Sequence, residues 1–126
     1  MKFKNLVSAV ASAAALLVGG QASAIPVALE LALLVDVSGS VDAAQYVLQR
    51  DGYKNAFLDA TVQANIATLT GGIAVMYMEW SAAGQQSVQQ NWFHITDAAS
   101  ATAFANIIGG LNRAFKIGRA SCRERV

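Results

Sequence analysis

The sequence predicts an α/β fold built on a doubly wound, mostly parallel sheet with one antiparallel edge strand. Only the first half is present, in the order β-α-β-β-α. Three observations predict it. An apolar run, Leu31 to Val35, stops abruptly at Asp36, and a second one fills Ile73 to Trp80; short continuous apolar runs are how strands beneath helices read. Between them, Tyr46, Tyr53 and Phe57 fall within one narrow arc of a helix turning about 100° per residue.

Taken in order, Ile25-Pro26 begins extended, because the residue before a proline is pushed away from helical angles. A first strand follows from Val27 to Asp36, expected to be covered on both faces, and the carboxyl end of such a strand is where open α/β sheets bind ligands. After Ser38-Gly39-Ser40, Asp42 with Gln45 makes a capping box that starts the first helix. Ala56 and Ala60 are expected to join its apolar stripe, and the helix ends near Asp59. Val62 to Leu69 reads as a short helical turn, broken by Gly71-Gly72.

Ser81 to Gln85, with Gly84, is a connection of hairpin length after the second strand. The third strand, Val88 to Ile95, contains Gln89, Gln90 and Asn91, and that polarity suits an edge. Thr96 and Asp97 supply N-cap chemistry for a last helix, whose stripe is Ala101, Phe104, Ile108 and Leu111.

The two ends read differently from this core. Lys2 and Lys4 precede an apolar, Ala-rich segment from Leu6 to Val18, and Ala22-Ser23-Ala24 has the small-x-small pattern of a signal-peptidase site. Residues 1–24 therefore read as a signal peptide, residues 25–115 as a partial domain, and the protein as exported to the periplasm or beyond. The segment is short for a membrane span of about 20 residues, so no span is expected after cleavage. Residues 116–126 end in I-G-R-A-S-C-R-E-R-V, which has three Arg and no apolar period. That stretch resembles a common sequencing-library adapter translated in frame, and it reads as a non-native tail.

The full chain carries a formal charge of +1, but Ile25 to Lys116 holds four basic and seven acidic residues, a net of −3. That balance points away from nucleic acid. The single cysteine, Cys122, lies in the adapter-like tail, leaving the rest without a disulfide or a thiolate metal site.

The chemistry gathers at L-A-L-L-V-D-V-S-G-S, Leu31 to Ser40. Asp36, Ser38 and Ser40 stand at alternate positions at the end of a strand, and Gly39 allows a tight turn, so three oxygens can converge. Hard oxygens suit a hard cation such as Mg²⁺. Here the sequence resembles the von Willebrand factor A superfamily, whose metal-ion-dependent adhesion site opens with Asp-x-Ser-x-Ser after the first strand. It is most similar to a secreted bacterial branch with D-V-S-G-S-V-D in this place. The order of elements also matches the opening half of that Rossmann-like domain.

The resemblance implies that Ser38 and Ser40 bind the metal directly and Asp36 through water. It further implies that an acidic side chain of a protein partner completes the shell. The family's remaining ligands, a Thr after the second long helix and a later Asp, have no counterpart here, so Mg²⁺ or another divalent cation is expected to be held weakly.

Other readings attach to the same residues. Asp36, Ser38 and Ser40 can instead bond their own backbone as Asx and Ser turns do, which leaves a metal-independent scaffold of the same fold. Ser38 or Ser40 with His94 and Asp97 would make a serine hydrolase, but the G-x-S-x-G elbow is missing around both serines. Asp42 is expected to be a cap. Glu79 and Ser81 sit near the same end of the sheet, Glu79 being expected as a solvated acid. Trp80 and Trp92 are expected in the core or on a strand surface.

Overall fold

The computed structural model describes residues 24–116. Residues 1–23 of the stretch read as a signal peptide and residues 117–126 of that read as a non-native tail lie outside the described residues. Six elements follow one another: β1 (Leu29–Asp36), α1 (Ala43–Leu58), α2 (Ala60–Ala67), β2 (Ile73–Trp80), β3 (Gln86–Ile95) and α3 (Ala98–Gly109). The sheet order is β1-β2-β3, with β1 parallel to β2 and β3 antiparallel to it. This is the expected mixed α/β arrangement, with the antiparallel edge strand in its expected place and the stretch read as a short helical turn from Val62 lying largely within α2.

Local chemistry sets the boundaries. Asp42 Oδ1 accepts from the Gln45 amide at 2.8 Å while Gln45 Oε1 accepts from the Asp42 amide at 2.9 Å, both arms of the capping box. α1 stops at Asp59, whose extended backbone (φ −68°, ψ 127°) breaks the helix. The same Asp59 carboxylate then accepts from the amides of Thr61 and Val62 and starts α2. Gly71 and Gly72 turn the chain into β2 with φ of +79° and +66°, and a Cβ at Gly72 would collide with the Ile95 carbonyl.

The core lies on one face of the sheet. Ile73, Val75, Tyr77 and Glu79 alternate along β2 as its buried row, and their register partners Leu31, Leu33 and Val35 in β1 and Phe93 and Ile95 in β3 extend it. Against that row pack Tyr46, Tyr53 and Phe57 of α1, Ile66 of α2, and Ala101, Phe104, Ala105 and Ile108 of α3. Phe104 is the pivot, with ring centroids 4.7 Å from Phe57 and 5.6 Å from Phe93.

The other face carries Ala32 and Leu34 of β1, Met76, Met78 and Trp80 of β2, and Val88, Trp92 and His94 of β3. Leu34 is 57% exposed and Trp92 48%. β1 was expected to be covered on both faces, and this is corrected: among the described residues it is an edge strand, and only its helix-facing row is sheltered. An apolar run supplies two greasy faces but does not say which of them has a helix over it. Ala56 and Ala60 are likewise exposed. The inner stripe of α1 is instead Tyr46, Arg50, Tyr53 and Phe57, because a long arginine stem can lie along apolar surface and deliver its charge to the rim.

Candidate metal centre

β1 delivers Asp36 to the carboxyl end of the sheet, and the Val37 amide still donates to the Trp80 carbonyl at 2.8 Å, so the loop leaves from a fixed point. Asp36 Oδ1 accepts from the Ser38 amide at 2.7 Å. The Val41 amide closes a turn onto the Ser38 carbonyl at 2.9 Å, and Ser38 Oγ and Ser40 Oγ stand 3.3 Å apart. The three expected residues are thus brought together, and Asp42 is committed to its helix cap.

The hydroxyl spacing is a test of fit. Neighbouring oxygens around an octahedral Mg²⁺ with ligands at about 2.1 Å lie roughly 3 Å apart, so the pair needs little adjustment to share one ion. Among the described residues no group of three or more His, Cys, Asp or Glu is placed to hold a metal. A cation at this loop would therefore depend on one carboxylate and neutral oxygens, a weak set.

Beneath the loop lies a polar layer that the sequence did not announce. Arg113 Nη1 donates to the Val41 carbonyl at 2.7 Å, and Nη2 donates to the carbonyls of Ser38 at 2.8 Å and of Val37. Glu79 was expected as a solvated acid, and this is corrected: it is 0% exposed. Its Oε1 accepts from the Tyr46 hydroxyl at 3.0 Å and its Oε2 from the Ala114 amide at 2.7 Å. The signal was available, since residue 79 continues the alternation 73, 75, 77 that faces the helices. Arg113 gave none, because its acceptors are more than seventy positions away in sequence.

Arg50 and Arg113 flank the Tyr46 ring, their guanidinium carbons 6.0 and 5.9 Å from its centre. Burial, then the hydrogen bond to the Glu79 carboxylate, raises the Tyr46 hydroxyl well above its ordinary pKa. Tyr77 is raised as well, by burial first and the Glu79 charge second.

Residues 26–122 match a family described as protein of unknown function (DUF1194). The chain belongs to this family. No curated protein and no solved structure matches it.

In this DUF1194 chain the hydrolase trio is not assembled. Ser38 and Ser40 follow Asp36, which pairs with Trp80 at the end of β2, whereas His94 pairs with Ala74 at its start, about 20 Å away along the strand. His94 Nε2 lies 2.7 Å from the Gly71 carbonyl oxygen. The Asp97 carboxylate caps α3 by accepting from the Ser100 amide at 2.8 Å and the Ser100 hydroxyl at 2.6 Å. Those bonds, the hydroxyl's first, hold its pKa below the ordinary carboxylate value.

Ser81 donates its amide to the Gln85 carbonyl and closes the β2–β3 turn. Trp80 and Trp92 stand on the open sheet face. The DUF1194 chain also has an apolar groove of about 590 Å³ between β1, α1 and α2, lined by Leu29, Leu31, Leu33, Tyr53, Phe57 and Ile66. Among the described residues, no helix is long and apolar enough to cross a membrane.

Proposed function

We propose that this DUF1194 chain is a von Willebrand A-like module, exported to the periplasm or beyond, that binds a protein partner through a divalent cation. Mg²⁺ or a similar ion would sit at Ser38 and Ser40, with Asp36 fixing it from behind, and an acidic side chain of the partner would complete its shell. One observation carries the reading: at the carboxyl end of a parallel strand the Ser38 and Ser40 hydroxyls stand 3.3 Å apart, with the Asp36 carboxylate bound to the Ser38 amide between strand and loop. Neutral hydroxyl ligands leave the ion electrophilic, and a ligand position left open to solvent can accept an external carboxylate.

Mn²⁺ is a suitable probe, because a bound paramagnetic ion broadens nearby amide resonances. The chain is expected to lose the Ser38, Gly39 and Ser40 signals on titration, with a dissociation constant on the order of 10⁻³ M. Ser38→Ala with Ser40→Ala is expected to abolish the effect. Uniform broadening across the sheet, or no difference between the variant and the wild-type chain, would defeat the proposal.

A second reading is favoured by the bond from the Ser38 amide to Asp36 Oδ1, which also describes a self-satisfied Asx turn. In that case the domain binds its partner by surface shape alone. Partner capture from the periplasmic fraction, with and without EDTA, separates the two: loss with chelator supports the cation reading, and retention supports the scaffold.

A further inference from the structure

The loop that carries Ser38 and Ser40 has its backbone carbonyls turned inward, and one side chain accounts for that. The Arg113 guanidinium donates to three of them, those of Val37, Ser38 and Val41. Among the described residues the salt bridge within 4.0 Å is Arg50–Asp51, so the Arg113 charge is met by carbonyl dipoles and by the Tyr46 ring. Its Nε is buried without an acceptor. A half-buried arginine whose donors go to several carbonyls of one loop shapes backbone, because its planar fork fixes where each oxygen must stand.

The segment bearing Arg113 is itself held from below. The Ala114 amide donates to Glu79 Oε2 at 2.7 Å, and Arg50 Nη1 donates to the Leu111 carbonyl at 3.2 Å. Glu79 sits on β2 beside Val35, the last buried residue of β1. The chain of contacts therefore runs from the sheet core through Glu79 and residues 111–114 to the underside of the loop.

We propose that Arg113 is a positioning residue: by holding the Val37, Ser38 and Val41 carbonyls inward it sets the spacing of the Ser38 and Ser40 hydroxyls. It also takes those carbonyl oxygens out of competition for a cation, leaving the side-chain oxygens as the ligands. The second statement rests on the cation reading above; the first stands on the hydrogen bonds alone.

The test compares Arg113→Met and Arg113→Lys with Arg50→Met in the full chain. Arg50 touches Leu111 and the Tyr46 ring but no carbonyl of the loop, so its loss reports general weakening of the layer. Hydrogen exchange of the hydrogen-bonded amides of Val37, Ser38 and Val41 is expected to accelerate at least about tenfold in both Arg113 variants while β2 keeps its protection. Arg50→Met, which removes one support of the 111–114 segment but leaves the Arg113 fork on the loop, is expected to accelerate loop exchange clearly less than either Arg113 variant. Mn²⁺ affinity is expected to fall about tenfold with the loop, and lysine, which keeps the charge but lacks the fork, is expected not to restore it.

Unchanged loop exchange in Arg113→Met, or acceleration shared equally by Arg50→Met, would overturn the assignment. An opened loop with unchanged Mn²⁺ affinity would reduce Arg113 to a staple and also overturn it. A wild-type chain that binds no Mn²⁺ would instead sink the cation reading, and the exchange data would still decide whether Arg113 sets the loop.

Discussion

Glu79 is held by two donors in a place where water does not reach, and removing it leaves the Ala114 amide without its acceptor and the Tyr46 hydroxyl with only the Leu111 carbonyl at 3.5 Å. An unpaired buried donor costs about 1–3 kcal/mol, so Glu79→Leu is expected to lower unfolding free energy by at least that amount in a urea melt, while Glu79→Gln loses less. The two buried tyrosines have a pH signature. A hydroxyl whose folded pKa is raised contributes stability that is complete below the ordinary value of about 10 and is lost as pH rises beyond it. Absorbance at alkaline pH is therefore expected to show Tyr46 and Tyr77 ionising only with cooperative unfolding. Asp97 behaves in the opposite sense, because its pKa is depressed: its cap stabilises α3 above the unfolded carboxyl value and fades as pH falls through the folded one. Asp97→Ala is expected to lower Tm at neutral pH, and the gap to the wild-type chain is expected to close in acid. Asp36, Ser38 and Ser40 were legible because they are neighbours in sequence, and a motif is a local pattern. Arg113 was not, since its role depends on which distant segment the fold lays across the end of the sheet, whereas the burial of Glu79 follows from the alternation of residues 73, 75, 77 and 79 along one strand.

At the scale of elements, helix starts and the order of strands were legible because their signals are short-range. Asp42 with Gln45 and Asp97 with Ser100 each form both arms of a capping box within four residues. α2 was harder to read, for eight residues with one buried side chain, Ile66, leave little periodicity. What marks it is Asp59, which ends one helix and caps the next, while Gln63 Nε2 ties it to the Phe57 carbonyl and to Thr102 of α3. Phe104 of α3 is 0% exposed and meets Phe57 of α1 edge-on and Phe93 of β3 at a tilt. Phe104→Ala is expected to cost about 3–5 kcal/mol by the transfer and cavity terms together, enough to remove much of the stability of a domain this size. Calorimetry or a denaturant melt checks it.

For the molecule as a whole, the imbalance between the two sheet faces matters most. Leu34, Met76, Met78, Trp80, Val88 and Trp92 form an apolar surface beside the edge of β1 that is unpaired among the described residues, and such an edge templates pairing with another chain. The described residues are expected to self-associate at moderate concentration. Leu34→Lys, which places a charge on both the open face and the free edge, is expected to shift light scattering toward monomer; equal scattering from both proteins would contradict this. Sequence could not have reported the imbalance, because coverage is a property of neighbours and not of the strand. The parallel pairing of β1 with β2 has another consequence, one of time. β2, β3 and α3 follow each other directly and can close on one another early, whereas β1 must wait for a partner on the far side of α1 and α2; such non-local pairing is the slow part of folding. The first of the six elements in sequence is thus the last to settle, and the Ser38 loop takes shape only when everything beneath it already has.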